Sequence, residues 1–174
     1  MATMSTLQDL LIDELKDIHS AERQLVLALP KLIDGANSET LSQALSEHLA
    51  ETKAHVNRLE EIFTTLEKSP LGKKCLGMEG LIAEGEALIG DDGDPDVLDA
   101  GIIGAAQRVE HYEIAAYGTA IAHAEAMGRS EIADRLKQTL AEEVAADRKL
   151  TEIAEGGINR LAATEFGEGE TVQS

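Results

Sequence analysis

The sequence is poor in aromatic residues and in cysteine, and each shortage narrows what the chain can be. It has two Tyr, two Phe and no Trp among 174 residues, so its core must consist of Leu, Ile, Val and Ala. Small aliphatic side chains of this kind favour closely packed helices. Because Cys75 is the only cysteine, the chain forms no intramolecular disulfide and no zinc site built on several cysteines. We therefore expect a cytoplasmic protein.

Long apolar runs and positive charge are also scarce. No run approaches the roughly 18 residues of a membrane span, and the N-terminus lacks the basic and apolar segments of a signal peptide. The chain carries 15 Lys and Arg against 33 Asp and Glu, a net charge of −18. This charge argues against binding to nucleic acids or to anionic membranes. The acidic excess fits either a highly charged soluble protein or one that attracts metal cations.

Four long helical patterns account for most of the chain, without the alternation that is typical of strands. Pro30 lies inside the first pattern and is expected to kink or weaken that helix. Ser130 is expected to cap the fourth helix, and Gly156 with Gly157 to stop it. The predicted helices span approximately residues 6–34, 39–68, 96–127 and 131–155.

The lengths of the connections predict the topology. The first two helices are joined by a few residues, and so are the last two, so each pair must form an antiparallel hairpin. The middle connection is much longer and carries its own short amphipathic pattern, "MEGLIAEGEALI". We therefore expect an all-α, ferritin-like four-helix bundle with one long crossover containing a short helix. This domain would cover residues 1–162, and the polar, glycine-rich residues 163–174 would form a disordered tail.

Acidic residues and histidines interrupt the apolar stripes of all four helices at a roughly central level. Several carboxylates in one apolar core are severely unfavourable unless cations neutralise them. We therefore expect two metal ions per chain, iron or manganese, as in the carboxylate centres of helical bundles. A metal-free network of salt bridges is the alternative. The candidate ligands are Glu22 in the first helix, His48, Glu51 and His55 in the second, Glu110 and Glu113 in the third, and Glu142, Glu143 and Asp147 in the fourth.

The spacing departs from the usual Glu-x-x-His motif of such centres. The second helix has Glu51-x-x-x-His55 and the fourth has Glu143-x-x-x-Asp147. Both spacings keep the paired side chains on one helix face, and they predict an oxygen-rich ligand set. His48 and His55 remain open to a second interpretation, as hydrogen-bonded core histidines. The expected roles are bridging for Glu51 and Glu143, and terminal for Glu22, Glu110 or Glu113, His55 and Asp147.

A weak internal repeat leaves one assignment open. Residues 49–62 match residues 140–153 at seven of 14 positions, a shift of 91 residues. The apolar stripe turns Glu143 inward, whereas the repeat favours Glu142. A solvated Glu142 is the third interpretation.

Several blocks together resemble the YciE/YciF family of ferritin-like proteins. They are "SAERQL", "HLAET", "MEGLIAEGE", "RVEHYEIAAYGTA" and "EEVAADRKLTEIA", and the resemblance extends from about Leu7 to about Ala162. It implies a four-helix ferritin-like fold, a dinuclear metal centre, a homodimer and a place in bacterial stress responses, without an assigned reaction. His48 fits the family block, whereas at His55 members of the family often have Gln. The ligands that the resemblance implies are Glu22, Glu51, Glu110, Glu113, Glu143 and Asp147.

Three functions follow from this interpretation. A di-iron or di-manganese centre would react with peroxide or oxygen, which leaves enzymatic activity an open question. The same centre could instead sequester metal without turnover. The third function is a non-enzymatic, dimeric stress or scaffold protein that binds a partner through its acidic surface.

Overall fold

The computed structural model describes residues 4–89 and 92–164, and every regular element in these ranges is helical. This confirms the all-α prediction, including the short helix in the crossover. The helices are α1 (Leu7–Gly35), α2 (Glu39–Thr65), α3 (Leu76–Ile89), α4 (Pro95–Ala126), α5 (Ser130–Ile153) and α6 (Asn159–Thr164), and a π-helical turn (Ala154–Ile158) joins α5 to α6.

Contacts between the helices establish their directions. The start of α1 meets the end of α4, where His123 Nδ1 lies 2.8 Å from Glu14 Oε2. The end of α1 meets the start of α4, where the Asn37 amide donates to Asp99 Oδ1 at 2.8 Å. Thus α4 runs antiparallel to α1. Since α2 follows α1 in a tight hairpin, α2 and α4 are parallel, as the one-crossover topology requires.

Side chains cap the starts of α1 and α2, whereas the start of α5 has no such cap. Thr6 caps α1 in a capping box with Asp9. The Ser38 hydroxyl accepts from the Leu41 amide and caps α2. The prediction that Ser130 caps the fourth helix is wrong, because Ser130 is the first residue of α5. Arg129 holds the cap position and makes no side-chain cap hydrogen bond.

Pro30 lies inside α1 as predicted, and the predicted stop at Gly156 and Gly157 coincides with a kink in the backbone. Helix α1 continues through Pro30 to Gly35. Gly156 and Gly157 lie in the π-helical turn, after which the chain continues as α6 to Thr164. Gly157 has non-helical backbone angles, with φ at 169°, so the chain kinks at the predicted stop and α6 begins beyond it. The predicted tail overlaps α6 at residues 163 and 164, and residues 165–174 lie outside the described part of the chain.

The core consists of two apolar clusters at opposite ends of the bundle. Between them lies a layer of buried polar side chains, and this layer is the candidate site. No helix among the described residues is long and apolar enough to cross a bilayer. The first cluster includes Leu25, Leu29, Leu41, Leu45, Ile102 and Leu150, and the second includes Leu11, Leu15, Leu59, Ile62, Tyr117 and Leu136.

Candidate metal centre

The polar layer holds two groups of side chains that share Glu143. Within each group the potential ligand atoms all lie within 4.8 Å of one another. Every long helix of the bundle contributes at least one of these side chains, and all of them are buried. In the described residues, one group is His48, Glu110, Glu113 and Glu143, and the other is Glu22, His55 and Glu143.

Helical periodicity places these side chains inside the bundle. On α2, His48 and His55 both turn inward, with the fully buried Thr52 between them. On α4, Glu110 and Glu113 lie one turn apart on the same face. Positions three or four residues apart share a helix face, so each helix needs no irregularity to present its donors.

The group around His55 is held by short contacts. His55 Nδ1 lies 3.0 Å from Glu143 Oε1 and 3.4 Å from Glu22 Oε1. The Tyr117 hydroxyl donates a hydrogen bond to Glu22 Oε1. Tyr117 therefore both packs in the core and orients a candidate ligand.

The group around His48 is looser and richer in carboxylates. His48 Nε2 lies 3.2 Å from Glu110 Oε1 and 4.0 Å from Glu143 Oε2. Glu113 is completely buried, and neither of its carboxylate oxygens has a hydrogen-bond partner. Three carboxylates thus converge here on a single imidazole.

The centre leaves many buried polar atoms without hydrogen bonds. An unsatisfied buried polar atom costs roughly 1–3 kcal/mol, and more if it is charged, so such atoms are rare in folded proteins. Oxygen atoms that face one another at short range need a shared cation or protons between them. The unpaired atoms in the described residues include Glu22 Oε2, Glu110 Oε2, both nitrogens of His48, His55 Nδ1, and both oxygens of Glu113 and of Glu143.

In the centre, the pKa values of three buried carboxyl groups and of the two histidines are all raised. Burial raises the pKa of Glu22, and it raises the pKa of Glu110 and Glu113 well above its ordinary value. Burial alone would lower the pKa of the histidines, but the surrounding carboxylates outweigh it. They raise the pKa of His48 to about 9 and that of His55 to about 10. Without a metal, the native centre therefore retains protons at neutral pH.

A second layer of contacts surrounds His55. Its Nε2 lies 2.9 Å from Glu142 Oε2, while Nδ1 faces the centre. Arg58 Nη1 donates to the same Glu142 oxygen at 2.9 Å and also to the hydroxyl of Thr139. A histidine that binds metal through one nitrogen commonly donates its other N–H to a carboxylate, which fixes the ring. Glu142 is the carboxylate that would accept this hydrogen bond from His55.

A cavity of about 160 Å³ lies between α2 and α5 and reaches the centre. We call it the α2–α5 cavity. Its inner wall includes His48 and Glu110, and Glu51 and Lys149 also line it. The other residues that line it are Ala44, Leu45, Glu47, Ala145, Ala146 and Leu150.

The structure separates the predicted ligands into those it brings together and those it does not. Six converge in the layer: Glu22, His48, His55, Glu110, Glu113 and Glu143. The side chain of Glu51 is 48% exposed, with its Oε2 3.7 Å from His48 Nδ1, so the structure does not place it where a bridging ligand must lie. Asp147 accepts instead from Gln107 Nε2 at 3.2 Å. Glu142 lies behind His55, outside both groups.

The 91-residue shift explains this arrangement. It aligns Glu51 with Glu142, both outside the centre, and aligns Thr52 with Glu143. It also aligns His55 with Ala146. On α2 the Glu-x-x-His pair is replaced by Thr52-x-x-His55, which keeps only the His. On α5 it is replaced by Glu143-x-x-Ala146, which keeps only the Glu. The two helices together supply one such pair. The sequence gives no sign that Thr52 occupies the inward position on α2, because threonine is not a usual metal ligand.

Comparison with known proteins identifies a family and several similar proteins. A family described as a domain of unknown function, DUF892, matches residues 6–163. Protein YciF of Escherichia coli strain K12 is 43% identical over 160 residues, which are 91% of this chain and 96% of that protein. The crystal structure of the E. coli stress protein YciF aligns with a TM-score of 0.87 over 90% of this chain and 99% of that one.

Two further solved structures have the same fold. YcfI from Rhodopseudomonas palustris is 45% identical and aligns with a TM-score of 0.83, covering 86% of this chain and 96% of that one. A protein from Xanthomonas campestris pv. campestris is only 17% identical, yet it aligns with a TM-score of 0.73 over 92% of this chain and 99% of that one. The helical scaffold is thus shared even where little sequence similarity is left.

Proposed function

This chain belongs to the DUF892 family, and we propose that it is a ferritin-like protein that binds two metal ions, iron or manganese, in the centre of its bundle. One observation carries the proposal: four buried carboxylates and two buried histidines from α1, α2, α4 and α5 face one another, and most of their oxygen and nitrogen atoms have no hydrogen-bond partner. Such a cluster is unfavourable in a metal-free core, and a pair of cations would remove the cost.

The donor set favours particular metals. Carboxylate oxygens suit iron and manganese, and the imidazoles of His48 and His55 add the nitrogen donors that iron accepts. His55 would bind one ion beside Glu22, and His48 would bind the other beside Glu110 and Glu113. Glu143 lies between them, so each of its oxygens would serve one ion. The absence of cysteine from the cluster argues against a site selected for soft metals.

The proposed biological role is reaction with peroxide or oxygen in a bacterial stress response. A bound pair of redox-active metals would supply the electrons for that chemistry. The protein excludes bulk water from the layer through the two apolar clusters, and the Tyr117 hydroxyl holds Glu22 in place. A cavity of about 150 Å³ can hold a benzene molecule, and the α2–α5 cavity is of similar volume. Peroxide and oxygen are smaller still.

The reaction is tested by loading the protein with Fe²⁺ without oxygen and then adding peroxide. We expect rapid oxidation of the iron, followed by repeated consumption of peroxide when a reductant is supplied. Consumption that stops after one equivalent would indicate metal sequestration without turnover. Protein that takes up no iron would instead favour the non-enzymatic scaffold. The homodimer and the cytoplasmic location expected from the sequence stay predictions.

The contacts behind His55 give a second expectation. In Glu142→Ala the His55 ring loses the acceptor at 2.9 Å that fixes its orientation. Loss of such an outer contact typically weakens metal binding by roughly 10–100-fold. The measurement is the dissociation constant for Mn²⁺ from competition with a chelator. Glu131→Ala, on the exposed start of the same helix, is the matched control and should bind as the wild type does. Equal affinities in the two variants would contradict a positioning role for Glu142.

A further inference from the structure

The buried centre approaches solvent at one place. Glu22, His55, Glu113 and Glu143 have no exposed surface at all. The two other members retain a little, 6% for His48 and 2% for Glu110. Both of these line the α2–α5 cavity, so within the described residues the exposed edge of the centre and the inner wall of that cavity coincide.

Charged groups line the same cavity. Glu51 is about half exposed, and its carboxylate lies 3.7 Å from His48 Nδ1. Lys149 Nζ lies 3.5 Å from Glu47 Oε2, and both of these side chains are about half exposed. That ion pair connects α5 to α2. An exposed ion pair of this kind contributes little stability and opens readily.

The deeper groups can take up a cation in exchange for the protons that they hold without metal. Both nitrogens of His48 and Glu110 Oε2 are buried and have no hydrogen-bond partner in the described part of the chain. A cation that reached Glu51 would therefore meet a neighbouring imidazole 3.7 Å away and, beyond it, a carboxylate 3.2 Å from that imidazole. The spacing leaves no gap that a cation would have to cross without a ligand.

We infer that the α2–α5 cavity is the port through which divalent cations reach the centre, and that Glu51 is the carboxylate that passes them to His48 and Glu110. This inference rests on the proposed function. It assigns Glu51 a transit role in place of the bridging role expected from sequence. It also explains why a half-exposed carboxylate lies beside a buried histidine whose other nitrogen faces the centre.

The test is the rate of Co²⁺ uptake, followed in a stopped-flow instrument by the optical bands of bound Co²⁺. Glu51→Gln removes the transit charge with little change in shape, and Ala146→Leu fills part of the cavity without changing charge. Both variants should reach the wild-type Co²⁺ content at equilibrium. Uptake should be slowed about tenfold in Glu51→Gln, because local charge changes the arrival rate of an ionic ligand by at least that factor. It should also be slowed in Ala146→Leu, because the passage is narrower. Glu84→Gln, on the exposed face of α3, loses the same charge elsewhere and should load at the wild-type rate.

Each other outcome has a definite meaning. Wild-type uptake rates in both Glu51→Gln and Ala146→Leu would overturn the port and leave the metal centre standing. Loss of bound Co²⁺ at saturation in Glu51→Gln would make Glu51 a resident ligand, which also overturns the transit role. A wild-type chain that binds no Co²⁺ at saturation would overturn the proposed function and the port together.

Discussion

Glu143→Gln should abolish binding of both metal ions while making the metal-free protein more stable. Glu143 is the one side chain among the described residues that belongs to both groups of ligand atoms. Loss of a residue that only orients a metal ligand typically weakens binding by roughly 10–100-fold. Loss of a ligand that is shared by two ions should therefore weaken the binding of each by more than about 100-fold. Metal content after dialysis against micromolar Mn²⁺ measures this directly.

The expected gain in stability of the metal-free form has its origin in the burial of Glu143. Both oxygens of Glu143 are buried without a hydrogen-bond partner, although Oε1 lies 3.0 Å from His55 Nδ1, and Glu113 and Glu110 lie close by. Four carboxylates face only two imidazoles in this cluster, so removing the charge of one carboxylate relieves repulsion and a buried desolvation cost of roughly 1–3 kcal/mol. The free energy of unfolding should therefore rise, although the 3.0 Å contact with His55 is weakened. Glu131→Gln is the control, since that exposed residue of the same helix lies outside both groups, and it should leave stability unchanged and still bind two ions. A metal-free Glu143→Gln variant less stable than the metal-free wild type would contradict this account of the cluster.

Metal-free protein should lose stability as the pH rises, whereas metal-loaded protein should not. The pKa of Glu110 and of Glu113 is raised in the native state, and the pKa of His48 and of His55 is raised to about 9 and about 10. In every case the native state holds protons that the unfolded chain has released. Stability then falls with rising pH, by about 1.4 kcal/mol per pH unit for each extra proton held.

For the histidines, the stabilising protonation is fully present below about pH 6.5 and is lost as the pH approaches 9–10. Bound cations replace these protons, so the loaded protein should show a much flatter profile through this range. Urea midpoints at pH 6, 7, 8 and 9, with and without Mn²⁺, measure the difference. Glu113→Gln should flatten the metal-free profile. Parallel profiles for the two forms would mean that cations do not replace the protons of this cluster.

The fold is predictable because its signals are redundant. Each long helix has an apolar stripe several turns long, and the contrast between two short connections and one long crossover admits few topologies. Local signals at the helix ends are weaker. Gly156 and Gly157 predict a helix stop, and the chain does kink at Gly157, but the short helix α6 beyond them is not apparent from the sequence pattern.

The centre is predictable where a polar residue interrupts an apolar stripe, as at Glu22 and Glu143. The centre is harder to predict where either of two neighbouring residues on a helix could be the one that faces inward. On α2 the stripe runs through Thr52, yet Glu51 is the residue with ligand chemistry, so reasoning from residue type selects a side chain about 100° away around the helix. The contact between His55 and Glu142 joins α2 to α5 across 87 residues, and no local pattern reveals such a pair.

The most direct test of the central claim is a crystal structure of the protein grown with Mn²⁺, with anomalous scattering used to locate the metal. We predict two anomalous peaks per chain, one among His48, Glu110, Glu113 and Glu143, and the other among Glu22, His55 and Glu143. Peaks confined to surface carboxylates, or an empty centre in which these side chains contact one another directly, would contradict the account.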